Sequence, residues 1–445
     1  MSPETMSDNI QNYVNDFNQL KIDDWLDESR HSALKLFKES GFPNSKLENW
    51  KYTDVRPIKK KSFSNVPGLT TSVGTEEINA VRFNGLDCIE VVFINGLFSK
   101  EHSTLVALEK GLVVENMLDA LAKDKDLLAK HLTKYADDKV SPFTALNTAF
   151  IQNGTFINVV PNTVIEKPIN ILYLSKESNS ALATHPRNLI VMGENSEATV
   201  IESYIGLDDA NYFTNAVTEV ALSPSAILKH YKIQQESLNA YHIGNLNIRQ
   251  DKDSKLESHS ISLGGALVRN DIHGQLAAEG AEIIMNGLYM TGDKQHVDNH
   301  TRVDHLKPRT LSTENYRGVL NGKSRAVFNG KVIVHKDAQK IEAHQNNANL
   351  LLSDDAEIDT KPELEIYADD VKCTHGATVG QLDQNMLFYL RSRAIDEETA
   401  RSLLTYAFAD ALISNISFAP IRNRLERLVI GQLPDAALIR EFTNE

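Results

Sequence analysis

The segment "EGAEIIMN" at residues 279–286 contains the pattern that decides the fold. A turn-forming cluster of small and acidic residues leads directly into an apolar run that is typical of a short β-strand. Equivalent clusters precede other strands, and the first four begin at residues 195, 223, 252 and 279, at intervals of 28, 29 and 27 residues. This period predicts a solenoid of strands, and we favour a parallel β-helix. A sandwich would also contain many short strands, but clear hairpin turns do not separate these runs.

Both ends of the chain have helical patterns, whereas the region from about 155 to 390 has almost none. Ile10, Tyr13, Val14 and Phe17 follow the i, i+3, i+4, i+7 spacing of an amphipathic helix. After residue 395, the segment "IDEETARSLLTYAFADALI" predicts a helix with Asp396 as its N-cap. Its apolar stripe consists of Ala400, Leu403, Leu404, Ala407, Phe408, Ala411 and Leu412. The predicted fold is therefore mainly β. An N-terminal helical region with short strands (1–150) precedes the parallel β-helix core (151–392), and a C-terminal helical region (393–445) follows it.

The amino-acid composition excludes several classes of protein. Hydrophobic residues make up 41% and charged residues 24% of the 445 positions, as in ordinary globular proteins. A net charge of -14 argues against a nucleic-acid partner, because phosphate binding needs a basic surface. No apolar run is long enough for a transmembrane helix, and the start "MSPETMSDNIQNYV" does not look like a secretory signal. The two cysteines, Cys88 and Cys373, cannot form a disulfide framework, so we expect a cytoplasmic protein.

Three motifs have weak functional signals. The segment "GVLNGKS" (318–324) is one residue too short for a phosphate-binding loop and runs into a predicted strand, so it predicts no nucleotide site. The segment "HVDNHTRVDH" (296–305) offers imidazole and carboxylate groups for a metal, but a polar turn region explains it better. The basic residues Arg422, Arg424 and Arg427 share a helical face, for which solvation is the simpler explanation.

The segment "VKCTHGATVG" (371–380) holds one of the two cysteines, two positions from a histidine. On a strand, Cys373 and His375 point to the same face, and a thiolate with an imidazole suits iron or zinc. Two ligands do not complete a metal site, and Cys88 is 285 positions away in an apolar segment, where it is expected to be a core residue. Burial of Cys373 beside a hydrogen-bonded His375 is the structural alternative. The small residues after His375 would let another chain or a ligand approach the backbone.

The stretch "KPELEIYADDVKCTHGATVGQLDQNMLFYLRSRAI" (361–395) closely resembles the SufB/SufD family of subunits of the SufBCD iron–sulfur cluster assembly scaffold. The segments "LENWKYT", "FTALNTAF", "VDHLKPRTLS" and "AVFNGKVIV" extend this resemblance over nearly the whole chain. The "VKCTHG" form is similar to the SufD branch of the family, because SufB has a His-Glu type sequence there. Ala394 departs from the pattern, in which Arg-Gly is usual at this point.

The resemblance implies a right-handed parallel β-helix between helical regions. It implies a heterodimer with a SufB-like subunit through the β-helices, with a homodimer when the chain is expressed alone, and a SufC-like ABC ATPase on the C-terminal helices. It implies that His375 lies at the SufB–SufD interface, near a transient iron–sulfur cluster or its iron, and that Cys373 lines this site or only packs. A reduced flavin is associated with the family complex, although the chain shows no flavin motif.

Three functions compete at this point. The first is a non-catalytic scaffold subunit for iron–sulfur cluster assembly, which the resemblance favours. The second is a β-helix enzyme that acts on a polysaccharide, for which the paired aspartates of "SDDAEID" and "ADD" would serve as acid and base; their positions in turns explain them more simply. The third is a free-standing structural solenoid. Co-purification with an ABC ATPase would separate the first from the other two.

Overall fold

The computed structural model describes residues 3–20, 24–65, 73–83, 85–105, 108–178, 180–434 and 436. Ten α-helices and one short 3-10 helix occur in these ranges, and they concentrate before residue 150 and after residue 383. The α-helices are α1 (Pro3–Gln19), α2 (Asp27–Ser40), α3 (Arg56–Lys60), α4 (Thr75–Val81), α5 (Met117–Lys123), α6 (Lys125–His131), α7 (Pro142–Ala149), α8 (Gln384–Arg391), α9 (Glu397–Ile413) and α10 (Ala419–Gly431). The 3-10 helix spans Glu48–Trp50.

Seventeen of the twenty strands in the described ranges lie between α7 and α8, and the other three precede α5. The strands are β1 (Ile89–Ile94), β2 (Leu97–Phe98), β3 (Leu112–Asn116), β4 (Thr155–Val159), β5 (Ile169–Ser175), β6 (Ala183–Thr184), β7 (Arg187–Met192), β8 (Glu197–Gly206), β9 (Phe213–Leu222), β10 (Ile227–Gln235), β11 (Tyr241–Gln250), β12 (Lys255–Ser262), β13 (Leu267–Leu276), β14 (Glu282–Thr291), β15 (His296–His305), β16 (Leu311–Leu320), β17 (Arg325–Val334), β18 (Ile341–Leu351), β19 (Glu357–Ile366) and β20 (Val371–Gly380).

The strands form two sheets that the chain enters alternately. One sheet has the order β2-β1-β5-β8-β10-β12-β14-β16-β18-β20, and the other has the order β19-β17-β15-β13-β11-β9-β7-β4-β3, with β6 beside β9. Neighbouring strands along the solenoid pair in parallel, as β14 does with β12 and β16. The result is a β-solenoid of about eight turns with helices at both ends, which confirms the predicted fold class. The two sheets also contain β1 and β3, which come from the region before residue 151.

The turns between the sheets explain the repeating polar clusters. Asn195, Ser225, Asp253 and Gly280 each have a positive φ at the corresponding place in successive turns. Asparagine, aspartate and glycine tolerate this left-handed conformation better than other residues. The turns also stack, because the amide of Asn195 donates to Pro224 O at 3.0 Å and the amide of Asp253 to Glu279 O at 3.0 Å. Each cluster therefore supplies the conformation that sends the chain into the next strand.

The N-terminal helices pack on the outer face of the second sheet, and a buried ion pair secures this junction. Arg187 and Glu219 are both fully buried and lie 2.6 Å apart. The Glu219 carboxylate also accepts hydrogen bonds from the backbone amides of Thr133, Tyr135 and Ala136 at 2.8–3.1 Å. Because a carboxylate that accepts several such bonds is held in one orientation, the loop after α6 is fixed against β9.

The C-terminal helices cover the outer face of the first sheet. Leu412 and Leu425 pack in one cluster with Tyr231, Ile261 and Leu288 of the strands. The buried side of α9 differs from the stripe that the sequence predicted. The buried residues are Thr399, Ala400, Ser402, Thr405, Ala409, Leu412 and Ile413. Two residues of the predicted stripe, Ala407 and Ala411, are exposed, whereas the polar Ser402 and Thr405 are buried.

The predicted basic face of α10 does not form a continuous surface. Arg424 is half-buried over the ring of Phe83, at 5.4 Å, and donates to the backbone oxygen of Arg82. Arg422 donates to the backbone oxygen of Ile416, and only Arg427 of the three is exposed. Ala394, between α8 and α9, has a φ of 65°. Glycine, which the resemblance implies at this position, would adopt this conformation without strain.

None of the helices in the described ranges has the length and hydropathy of a membrane-spanning segment.

Candidate functional site

The last turn of the solenoid is uncovered. β20 ends one sheet and β19 ends the other, so in the described part of the chain each has a neighbour on one side only. Interior positions of β18 such as Ala343, Gln345 and Asn347 are buried, whereas the aligned positions of β20 are largely exposed. The side chains that would continue the core therefore face solvent at this open end.

Cys373 and His375 both lie on the interior face of β20. Cys373 aligns with Ala343 and His375 with Gln345, and both of these β18 residues point into the solenoid. The predicted shared face is therefore present, and it is the face that looks into the solenoid. His375 is exposed, and Cys373 is half-buried against the cluster that contains Ile341.

The two cysteines lie far apart in the fold, and the pKa values of both thiols are raised. Burial raises the pKa of the Cys373 thiol, so this group is protonated near neutral pH in the free chain. Cys88 directly precedes β1, with seven strands between β1 and β20 in the sheet order. It is half-buried rather than a fully buried core residue. Burial raises the pKa of Cys88 to about 12, with a further contribution from the nearby Glu90 carboxylate. The fold thus separates Cys88 from the open end.

A polar pair lies directly beneath His375 in the same column of side chains. Gln345 aligns with His375 on one side and with Glu314 of β16 on the other. Glu314 is 1% exposed, and its Oε2 accepts from Thr301 Oγ1 at 2.5 Å and from Gln345 Nε2 at 3.4 Å. Burial raises the pKa of Glu314 to about 7, and the two hydrogen bonds only partly oppose this shift. Neighbouring Tyr316 is neutral, since burial and the Glu314 charge raise the pKa of its phenol.

Exposed apolar side chains occur in the last turn of the solenoid and in the helix that follows it. Phe388 of α8 is 76% exposed, and Tyr389 and Met386 on the same helix are also exposed. Tyr367, between β19 and β20, and Val379 of β20 add to this set, which we call the end patch. An apolar patch of this kind beside an unpaired strand is typical of a protein interface.

The weaker sequence candidates have structural explanations. The segment 318–324 runs from β16 through a turn into β17, so a strand follows it as predicted. His296 lies 2.8 Å from Thr53 Oγ1, and His300 pairs with Asp298 at 3.0 Å. His305 is buried and contacts the hydroxyl of Thr310 at 2.7 Å.

Asp304 completes this segment. It accepts hydrogen bonds from His273, Arg302 and His335 at 2.6–3.1 Å. His296 and His300 share one hydrogen-bond network, because the Thr53 hydroxyl also donates to Asp298 at 2.5 Å, whereas His305 belongs to another. Across the described ranges, no group of three or more histidine, cysteine, aspartate or glutamate side chains is arranged to hold a metal.

Glu314 and Gln345 were not recognised in the sequence. One signal was available, since alternation in "LSTENYRGVL" places Glu314 on the same face as the aromatic Tyr316. The pairing of Glu314 with Gln345 had no local signal, because the two residues are 31 positions apart.

Comparison with known proteins agrees with this architecture. Residues 173–408 match the family model described as "SUF system FeS cluster assembly, SufBD core domain", and residues 8–171 match "SufBD protein N-terminal region". The chain is 31% identical to an iron–sulfur cluster assembly SufBD family protein of Synechocystis, over 92% of this chain and 91% of the relative. It is also 31% identical to the iron–sulfur cluster assembly protein SufD of Escherichia coli, over 91% of this chain and 92% of the relative. The identity with the iron–sulfur cluster assembly protein SufD of Bacillus subtilis is 26%, over 94% of this chain and 97% of the relative.

The chain therefore belongs to the SufBD family of iron–sulfur cluster assembly proteins.

Replacement of Glu314 by glutamine should stabilise the protein, and more so at higher pH. The unfolded carboxyl loses its proton near pH 4.5, whereas the native one keeps it up to about pH 7. The free energy of unfolding of the unmodified chain should therefore fall by about 3 kcal/mol as pH rises through this range. Glutamine does not titrate, so the difference between the two melting temperatures should widen from pH 5 to pH 8. Calorimetry at constant ionic strength measures the melting temperatures, with Tyr289→Phe as a non-titrating control. If the melting temperatures of the unmodified chain and of Glu314→Gln change in parallel with pH, the prediction is wrong.

Proposed function

We propose that this chain is a non-catalytic scaffold subunit for iron–sulfur cluster assembly. It pairs through its open end with a SufB-like subunit, and its C-terminal helices bind a SufC-like ABC ATPase. The uncovered last turn of the solenoid carries this proposal. A solenoid normally needs a polar cap at its end, and this one instead exposes interior side chains, an unpaired strand and the end patch.

Pairing with another solenoid would satisfy the groups that the open end exposes. A strand placed beside β20 would accept and donate the backbone hydrogen bonds that β20 leaves open. The end patch, including Phe388 and Tyr389, would be buried in the same contact. The partner therefore continues the sheet from one chain into the next.

His375 is the group that this chain contributes to the shared site. A neutral imidazole is a good iron ligand, and the exposed ring on β20 can reach a partner across the open end. Iron or the nascent cluster is the cargo held there, and the partner supplies the remaining ligands. Cys373 has a weaker claim, because it is half-buried and its raised pKa favours the thiol over the ligating thiolate.

Replacing His375 by alanine should reduce the iron and sulfide content of the complex sharply while leaving its melting temperature almost unchanged. The ring is exposed in this chain, so its loss removes a ligand and little packing. Cys373→Ser should have a smaller effect on the cluster. His344→Ala is the matched control, because His344 is an exposed histidine on the neighbouring strand that bonds Thr374 at 2.8 Å.

The measurement uses co-expression with SufB and SufC homologues, anaerobic isolation, iron and sulfide analysis, and thermal melting of each complex. A His375→Ala complex with normal stability and a normal cluster content would eliminate the ligand role. Cluster loss that tracks loss of the folded complex would assign His375 a structural role instead.

Replacing Phe388 by aspartate should weaken the heterodimer by tenfold or more, about 1.4 kcal/mol or above, since a charge replaces an aromatic side chain that the proposed contact would bury. The fold of the free chain should be intact because Phe388 is exposed. Leu118→Asp is the control, since Leu118 is an exposed apolar residue of α5 outside the end patch.

Val379→Pro should also weaken pairing by disturbing β20. Gel filtration and titration calorimetry measure assembly. Unchanged affinity of both Phe388→Asp and Val379→Pro for the SufB-like subunit would exclude the β20 edge as the pairing surface.

Replacing Ala411 by arginine should reduce ATPase binding while leaving pairing with the SufB-like subunit intact. Ala411 is on the exposed side of α9, so the larger side chain obstructs a partner without disturbing the core. Deletion of residues 396–445 would be less informative, because it uncovers the apolar outer face of the first sheet. Ala80→Arg, on the exposed side of α4, is the matched control. Equal ATPase pull-down by both variants would refute docking on this side of α9.

A further inference from the structure

We propose that Glu314 is a positioning residue for His375 and acts through the side-chain amide of Gln345. In this arrangement the amide nitrogen of Gln345 donates a hydrogen bond to Glu314. The amide oxygen of Gln345 accepts a hydrogen bond from the inner ring N–H of His375, the one that faces Gln345. The outer ring nitrogen then carries the lone pair that iron needs. The purpose of this arrangement rests on the proposed role of His375, whereas the hydrogen-bond chain itself is tested separately.

The register of the sheet places these three residues in one column. Glu314 aligns with Gln345, and Gln345 aligns with His375, all on the interior face. Adjacent members of such a column are about 4.8 Å apart at the backbone, within reach of a long side chain. Below Glu314 the column continues with Met285, which is fully buried. The polar part of the column therefore occupies three strands, β20, β18 and β16, and an apolar side chain follows on β14.

The contacts of the buried pair leave two acceptor oxygens without a partner. Oε1 of Glu314 and Oε1 of Gln345 are buried and have no hydrogen-bond partner among the described residues. Those residues also place no cationic side chain in an ion pair with Glu314. The carboxyl is held only by Thr301 and Gln345, and burial raises its pKa. A buried carboxyl with this little compensation costs stability, so packing alone does not explain its presence.

Space has been left for the amide of Gln345. A Cβ atom at Gly330, on the facing sheet, would lie 2.0 Å from Nε2 of Gln345. Glycine at this position therefore lets the amide take its place beside Glu314. The unpartnered oxygen of Gln345 is the remaining polar atom of that side chain, and His375 is the next residue of the column.

The chemistry of a glutamine explains how a distant carboxyl can orient an imidazole. An amide donates through nitrogen and accepts through oxygen, so fixing one end fixes the polarity of the other. While the nitrogen donates to Glu314, the oxygen is an acceptor for a ring N–H of His375. Metal-binding histidines generally donate their second ring N–H in this way, which selects the tautomer.

The test measures the tautomer of His375 directly. The full chain is labelled with ¹⁵N-histidine, and its ring nitrogens are recorded by NMR at pH 8, where histidine is ordinarily neutral. His375→Gln assigns the signal. Glu314→Leu should change the ratio of the two neutral tautomers about threefold or more, because one hydrogen bond is lost. Glu314→Gln keeps an acceptor oxygen and should restore most of the ratio.

Tyr289→Phe is the matched control. Tyr289 is buried at similar depth and bonds Asn349 at 2.5 Å, but its column ends at Val379 and not at His375. This substitution should leave the tautomer ratio unchanged. In the complex with the SufB-like subunit, Glu314→Leu should also weaken ferrous iron binding about tenfold, as loss of an outer-shell hydrogen bond does elsewhere.

An unchanged ratio in Glu314→Leu would overturn the proposal, and so would an equal change in Tyr289→Phe, which would indicate general loosening of the core. The proposed function fails separately. If the ratio responds as expected but His375→Ala retains a full cluster, the positioning chain stands and the ligand role of His375 does not.

Discussion

The parallel in-register ladder is the constraint on which this structure depends. Each residue lies directly over its equivalent in the next turn, as Ile283 lies between Leu256 and Ser312. Interior positions must therefore repeat as columns, and the turns must repeat the left-handed conformation seen at Asn195 and Asp253. The same constraint makes the ladder open-ended, because its last strand has the same hydrogen-bonding capacity as every strand before it.

Stacking also determines how buried charge is accommodated. Glu202 is enclosed by His230 at 3.0 Å, Tyr204 at 2.6 Å and Thr218 at 2.8 Å. Burial opposes ionisation of Glu202, yet these partners lower its pKa to about 2. Glu314 has weaker partners and a raised pKa. The solenoid can thus stabilise an ionised carboxylate in its interior, and it does so at Glu202 but not at Glu314, nearer the open end.

The helical regions explain why one end of the solenoid remains free. The N-terminal helices cover the second sheet and are held by the buried pair of Arg187 and Glu219. Helices α9 and α10 cover the first sheet through residues such as Leu412 and Leu425. Both outer faces are therefore occupied by the chain itself, whereas β19 and β20 each keep one edge unpaired within the described ranges. A partner that completes the core meets the chain at that end.

The local features of the fold could be predicted from the amino-acid sequence alone. Turn residues at a period near 28 predicted the solenoid, helical spacing predicted the two ends, and alternation placed Cys373 and His375 on one face. These features depend on neighbours in the chain, and so did the motifs that identified the family. The sequence did not reveal that this face is the interior one, that Arg424 packs on Phe83, or that the buried side of α9 carries Ser402 and Thr405.

Only the tertiary structure joined Glu314 to Gln345 beneath His375. The physical reason is that pairing register and helix docking are set by contacts between residues tens to hundreds of positions apart. Propensity and periodicity contain no information about such contacts.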